Sequence, residues 1–138
     1  MSTEQVARDF ITMMSTPDKV QGFIAAGATV DGGILPQAVP MADAMHIVGG
    51  LVAAMPDLKF TVKQVTVKGN QATVHADWAG THTATLNLPD MPPIAATGKK
   101  VATQDVYIVT VQGDKVSHMT VASPAGAGIP GALAQLGV

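Results

Sequence analysis

KFTVKQVTVKGNQATVHADW, residues 59–78, carries the alternation that decides the fold. Phe60 and Val62 share one face of an extended strand, whereas Val65 and Val67 share the other. A bulge near Lys63-Gln64 restores a common apolar face. Gly69-Asn70 then makes a two-residue hairpin turn that sets Val65 opposite Val74. The returning strand places Val74, Ala76 and Trp78 on the apolar face and turns His75 and Asp77 outward.

Downstream, Leu88 to Lys100, with Pro89, Pro92, Pro93 and Gly98, is predicted to be a loop that serves as a lid or rim and sets the shape of any pocket. Val101 to Val111 is rich in valine, threonine, tyrosine and isoleucine and reads as a strand covered on both faces. Gln112-Gly113-Asp114 turns the chain into a last strand, Lys115 to Ser123. With Gly113-Asp114 at the centre of the turn, Val109 faces His118; with Gln112-Gly113 there, Tyr107 does. Either register puts Asp105, Tyr107, Val109 and His118 on one face.

Upstream the period is helical. A first helix begins after Ser2 or Thr3 with Val6, Phe10, Met13 and Met14 as its buried stripe, and Pro17 interrupts it. Asp18 to Ala26 reads as a second short helix ending at Gly27, with Ala28 to Asp31 as a brief strand before Gly32-Gly33. A third helix spans Met41 to Ala54, with Met41, Met45, Val48, Leu51 or Val52, and Met55 on one side. Gly49-Gly50 weakens it by about 1 kcal/mol per glycine, which close packing against the sheet offsets.

The 138 residues suit one domain, 1–138, large enough to bury a core. Apolar residues make up 47% and charged residues 13%, which argues against disorder and points to surface hidden in a pocket or in a homodimer. A net charge of −2 with scattered lysines argues against nucleic acid. The absence of cysteine removes thiolate chemistry and fits a cytoplasmic protein, and four dispersed histidines do not form a metal site. Met1-Ser2-Thr3-Glu4 does not read as an export signal, and Met119 to Val138, though uncharged, holds too many prolines and glycines for a membrane helix. A buried, partner-covered tail is the expectation there.

Helices followed by a bulged antiparallel sheet that curls around them is the order of the nuclear transport factor 2-like (cystatin-like) α+β cone. Met55-Pro56-Asp57-Leu58 resembles the motif before the long strands of SnoaL-like polyketide cyclases and their ester-cyclase relatives. Gly80-Thr81-His82-Thr83 is similar to that family's Gly-Thr-His-Thr-Gly, with Ala84 in place of the last glycine. Thr97-Gly98-Lys99-Lys100-Val101, the stretch 111–116 and Gln135-Leu136-Gly137-Val138 match further segments, so the resemblance covers roughly residues 40 to 138. It implies a homodimer with one cavity per subunit. It also implies a cofactor-free, metal-free intramolecular aldol cyclisation of a polyketide ester, with an aspartate late in the last strand as acid and base. Here that aspartate falls on Ser123, so the family's carboxylate is missing at its usual place.

The candidate catalytic residues are His118, whose imidazole titrates near neutrality, Tyr107 and His82 as donors to a developing oxyanion, and Asp105 as a buried general base. The candidate substrate-binding residues are Trp78, Met14, Met45 and Val109. Each has a structural alternative: a core histidine for His118, an amphipathic wall for Tyr107, a strand-end hydrogen bond for Asp105, and a turn for Asp31-Gly32-Gly33. His46 reads as solvated. The leading reading is acid–base chemistry on a hydrophobic carbonyl compound, and its rival is a non-catalytic small-molecule binder. A third is an interaction module whose pocket is filled by some of the eight methionines.

Overall fold

The computed structural model describes residues 2–35, 37–88, 91–124 and 126–137, with Pro17 as backbone only. Pro89 and Asp90 of the expected lid and Val138 of the closing motif lie outside the described residues. Helix α1 spans Thr3–Thr12 and is capped by Ser2, whose Oγ accepts from Gln5 N. A 3₁₀ turn, Met13–Ser15, leads to the short α2, Pro17–Val20, and to strand β1, Ile24–Gly32. Next come β2, Val39–Pro40, and α3, Met41–Ala54. The remaining strands are β3, Lys59–Lys68, β4, Gln71–Thr81, β5, Lys100–Gln112, and β6, Lys115–Val121. Helix α4, Gly128–Gln135, ends the described chain.

The strands form one curved, open sheet in the order β2-β1-β6-β5-β4-β3. This is the expected α+β cone with one correction, since β1 runs parallel to β6 and the sheet is mixed. The segment before Gly27 is strand rather than helix from Ile24 onward. Ile24 pairs with Val116, and that long-range pairing overrides the helix preference of Ala25-Ala26.

Alternation along β3 and β4 follows the expected register. Val65 faces Val74, Phe60 faces Trp78, and the bulge falls between Val62 and Gln64. Gly69, at φ 62°, supplies the left-handed conformation that the hairpin turn needs. Val6, Ala7, Phe10 and Ile11 of α1 are buried, and α1 packs against β3, β4, β5 and β6. The core they form with Val74, Val109, Val111 and Val116 fills one end of the cone.

The loop between β4 and β5 is not a free lid. His82 N donates to Lys99 O and Gly98 N donates to His82 O, so the loop base prolongs the β4–β5 ladder, and Leu86 bridges Ile94. Thr83 N and Ala84 N both donate to Ala54 O at the end of α3. Gly50 of α3 lies against this loop rather than the sheet, because a Cβ there would sit 2.8 Å from Asn87 O. Asp57 accepts from Thr81 N at 2.7 Å and from Thr81 Oγ1 at 2.9 Å, pinning the start of β3 to the end of β4.

The uncharged tail docks on its own chain through Gly128, Gly131, Ala132 and Leu136, which are buried, while Ala134 and Gln135 stay exposed. Gln135 donates to Ala102 O at 2.6 Å and accepts from Ala102 N at 2.9 Å, which docks α4 onto the edge of β5 beyond the reach of β6. Among the described residues no helix is long and apolar enough to cross a membrane.

Two measurements check these anchors. The Thr81 backbone and hydroxyl donors hold the Asp57 carboxyl below its ordinary 3.8. The pair therefore stabilises the fold above that pH and loses its contribution as pH falls through the lower folded value. Asp57→Ala should melt below wild type at pH 7, with the gap closing in strong acid. Gln135→Ala should cost about 1 kcal/mol and speed hydrogen exchange at the Ala102 amide while leaving β3 and β4 protected.

Candidate active site

Asp105, 6% exposed, is the centre of the polar cluster that faces the interior. Its position follows from register. Asp105 faces Ala76 on β4, and this small neighbour lets the diagonal Trp78 and the next same-face residue of β5, Tyr107, reach over it. Trp78 Nε1 donates to Asp105 Oδ2 at 2.7 Å and the Tyr107 hydroxyl donates to the same oxygen at 2.9 Å. β6 pairs Val121 with Tyr107, and two residues further on Ser123 comes opposite Asp105. Ser123 Oγ accepts from Val106 N at 3.0 Å and donates its own proton to Asp105 Oδ1.

The tail borders the fourth side. Gly128, at φ 65°, begins α4 against the carboxylate, and a Cβ there would overlap Asp105 Oδ1. Burial, and then the charge of Asp105, push the Tyr107 phenol well above its ordinary 10, so it stays protonated. Its proton is engaged by Asp105, which differs from the free oxyanion donor expected from the sequence.

This cluster forms one wall of a cavity of about 260 Å³. Trp78, Phe60, Met14, Met45, Met119 and Leu51 make much of the remainder, and the segments 32–35, 123–124 and 126–130 also line it. Leu88 and residues 91–100 do not line it, contrary to the expectation for the described part of that loop: hydrogen bonds tie Ile94 to Leu86, and Gly98 and Lys99 to His82. Methionines line the space and leave it open. Phe60 and Trp78 stand with ring centroids 6.1 Å apart and planes tilted by 38°.

Of the residues singled out in the sequence, Trp78, Met14, Met45, Asp105 and Tyr107 meet at this cavity. Val109 does not line it; it is buried beneath α1's end of the sheet. His118 is on the opposite face of the sheet from Tyr107, contrary to the expected shared face. A register shift between Thr110 and Val111 makes Ser117 an extra residue, so Met119 takes the interior place opposite Val109 and His118 pairs with Thr110. There His118 Nδ1 lies 2.7 Å from Thr29 Oγ1 and Nε2 lies 3.4 Å from Asp31 Oδ1. A hydrogen bond from Thr120, and then His118, hold the Asp31 carboxyl below its usual range.

His82 is also away from the cavity. It is fully buried, with Nδ1 2.9 Å from Thr97 Oγ1 and Nε2 without a hydrogen-bond partner among the described residues. The resemblance places Ser123 at the family's aspartate position without foreseeing its bond to Asp105, and residue-type reasoning misses Gly128 altogether. Continuing the β5–β6 register past Val121 finds Ser123, whereas Gly128 carries no sequence signal beyond being a glycine. Among the described residues no group of three or more histidine, aspartate or glutamate side chains is placed to hold a metal ion.

Solved structures with the same architecture share little sequence with this chain. IdmH from Streptomyces antibioticus, a candidate polyketide cyclase, superposes with a TM-score of 0.76 at 16% identity, covering 100% of both chains. AclR from Streptomyces galilaeus, a candidate hydroxylase, gives 0.77 at 14% identity over 99% of this chain and 82% of its own. A protein of ketosteroid isomerase-like fold from Catenulispora acidiphila, solved with trimethylamine, gives 0.69 at 14% identity over 99% and 95%. At these identities the likeness shows the fold alone. No curated protein matches the sequence. The sequence itself matches the SnoaL-like polyketide cyclase family over residues 18–122, most of the chain from α2 to the end of β6, and the protein belongs to that family.

Proposed function

We propose that this protein catalyses proton transfer on a hydrophobic carbonyl compound held in the cavity, with Asp105 as the acid–base group and no cofactor. The observation that carries the reading is the contact of Ser123 with Asp105. Ser123 stands where the family resemblance puts its catalytic aspartate, and the carboxylate of the neighbouring strand reaches the same spot. The acid is relocated by one strand rather than lost.

A cyclisation by this group balances without an external reagent. Asp105 takes a proton from the carbon beside a carbonyl, and the resulting enolate carbon bonds to a second carbonyl carbon of the same molecule. The alkoxide so formed takes the proton back. While Asp105 is protonated, one of the hydroxyls that donated to it, Tyr107 or Ser123, is free to turn toward the oxyanion. Trp78 keeps the carboxyl in place throughout. If the proton on Asp105, or one exchanged from solvent, returns to carbon before a bond forms, the outcome is exchange at the same carbon or isomerisation at another. We also propose a homodimer joined through the outer sheet face, where the half-exposed Val106 and Ile108 of β5 support self-association.

A second reading, a non-catalytic binder, has its own support: all three donors around Asp105 already satisfy it, as in a structural hub. One experiment separates the two. Proton exchange beside the carbonyl of 2-tetralone in heavy water, followed by NMR, should be accelerated by the wild type and should fall 10²- to 10⁴-fold in Asp105→Asn, as removal of a general base predicts. His118→Ala should exchange as wild type does, since its ring is on the other face. The paired change Asp105→Ser with Ser123→Asp should recover part of the rate by returning the carboxylate to the last strand. Equal exchange in wild type and Asp105→Asn would leave the binder.

A further inference from the structure

We propose that the cavity selects neutral one- or two-ring compounds bearing an enol, phenol or ketone oxygen and turns away carboxylates and phosphates, with Asp105 setting the charge preference. This rests on the cavity being the ligand site, and it adds the class of ligand.

Size comes first. An apolar cavity of about 150 Å³ inside a protein holds one benzene ring. The space here, about 260 Å³, is less than twice that, enough to enclose a fused pair of rings, whereas four would have to extend out through the mouth. Shape agrees with a flat ring system, because Phe60 and Trp78 supply adjacent aromatic wall and Met14, Met45 and Met119 supply adaptable thioethers around it.

Charge is the sharper constraint. Asp105 carries the one carboxyl group among the described residues of the lining, the Tyr107 phenol stays neutral, and no lysine, arginine or histidine accompanies them. An anion brought into this apolar space would lose its hydration, gain no cationic partner and face a carboxylate across a few ångströms. A neutral ligand with an O–H avoids all three penalties. A carboxylate has about four lone-pair sites; Trp78, Tyr107 and Ser123 take three of them. The site left for a ligand hydroxyl is the second one of Oδ1, on the side where the missing Cβ of Gly128 leaves room. Any ketone that enolises can present the same donor, so the preference suits the proton transfer proposed above.

Calorimetry at pH 8 on the unmodified protein with three probes tests the selection. 2-Naphthol should bind saturably. 2-Naphthoate, of nearly the same shape, and androst-4-ene-3,17-dione, neutral with four rings, should each bind at least tenfold more weakly. In Asp105→Asn the gap between naphthol and naphthoate should narrow. NMR of the methionine methyls, with naphthol-induced shifts at Met14, Met45 and Met119 and none at Met13, places the probe without any variant. Naphthoate or the steroid binding as tightly as naphthol, or no binding of naphthol up to its solubility limit, would overturn the proposal. Selective naphthol binding with no proton exchange on 2-tetralone would overturn the reaction and leave the ligand class standing.

Discussion

A carboxylate inside an apolar cone has to be met by donors, and the interior of this protein is arranged around that requirement. Removing any one partner of a buried hydrogen-bonded group costs on the order of 1–3 kcal/mol, more where charge is involved. Asp105 therefore constrains three segments at once, its own strand included. Trp78 must come from β4, Tyr107 from β5 itself, and Ser123 from the chain leaving β6. The start of α4 must be a glycine to approach as closely as Gly128 does. The same group that organises the packing of the C-terminal half is the one with its remaining face on the cavity. On the function proposed above, the structural hub and the reacting group are the same atoms, an arrangement whose geometry is held before any ligand arrives.

The stretches that carry the family resemblance do a different job. Asp57 of the Met-Pro-Asp-Leu segment binds Thr81 of the Gly-Thr-His-Thr segment, and His82 of that second segment meets Thr97 of the third. Three motifs far apart in the chain close on one another at the end of α3. They hold β3, β4 and the long connection to β5 together, away from the cavity lining. Their recurrence in a family reads as a shared scaffold, and the lining residues are where members can differ in chemistry.

Two bulges decide which residues face inward. The one in β3, between Val62 and Gln64, keeps Phe60, Val62, Val65 and Val67 on a common side. It was legible because the apolar residues themselves change phase there. The one between Thr110 and Val111 was not, because both phases of β6 offer plausible interior residues: Val116, His118 and Thr120 in one, Ser117, Met119 and Val121 in the other. Only the packing of Met119 against Val109, together with the pairing of β6 to β1 on its other edge, selects the second phase beyond Ser117.

By itself the sequence determined the elements whose signals are local or strictly periodic: α3 from Met41 to Ala54, the β3–β4 hairpin with its turn, the inward set Val74, Ala76 and Trp78, and the membership of a cone-shaped α+β family. It also brought Asp105 and Tyr107 to one face, since residues two apart on a strand share a side whatever the rest of the sheet does. The tertiary structure alone decided that His118 faces away, that residues 94–99 are bonded back to Leu86 and His82, and that Gly128 and the Ser123 hydroxyl meet Asp105. Each of those outcomes depends on contacts between residues far apart in the chain, where a shift of a single residue exchanges one face for the other and no local pattern records the choice.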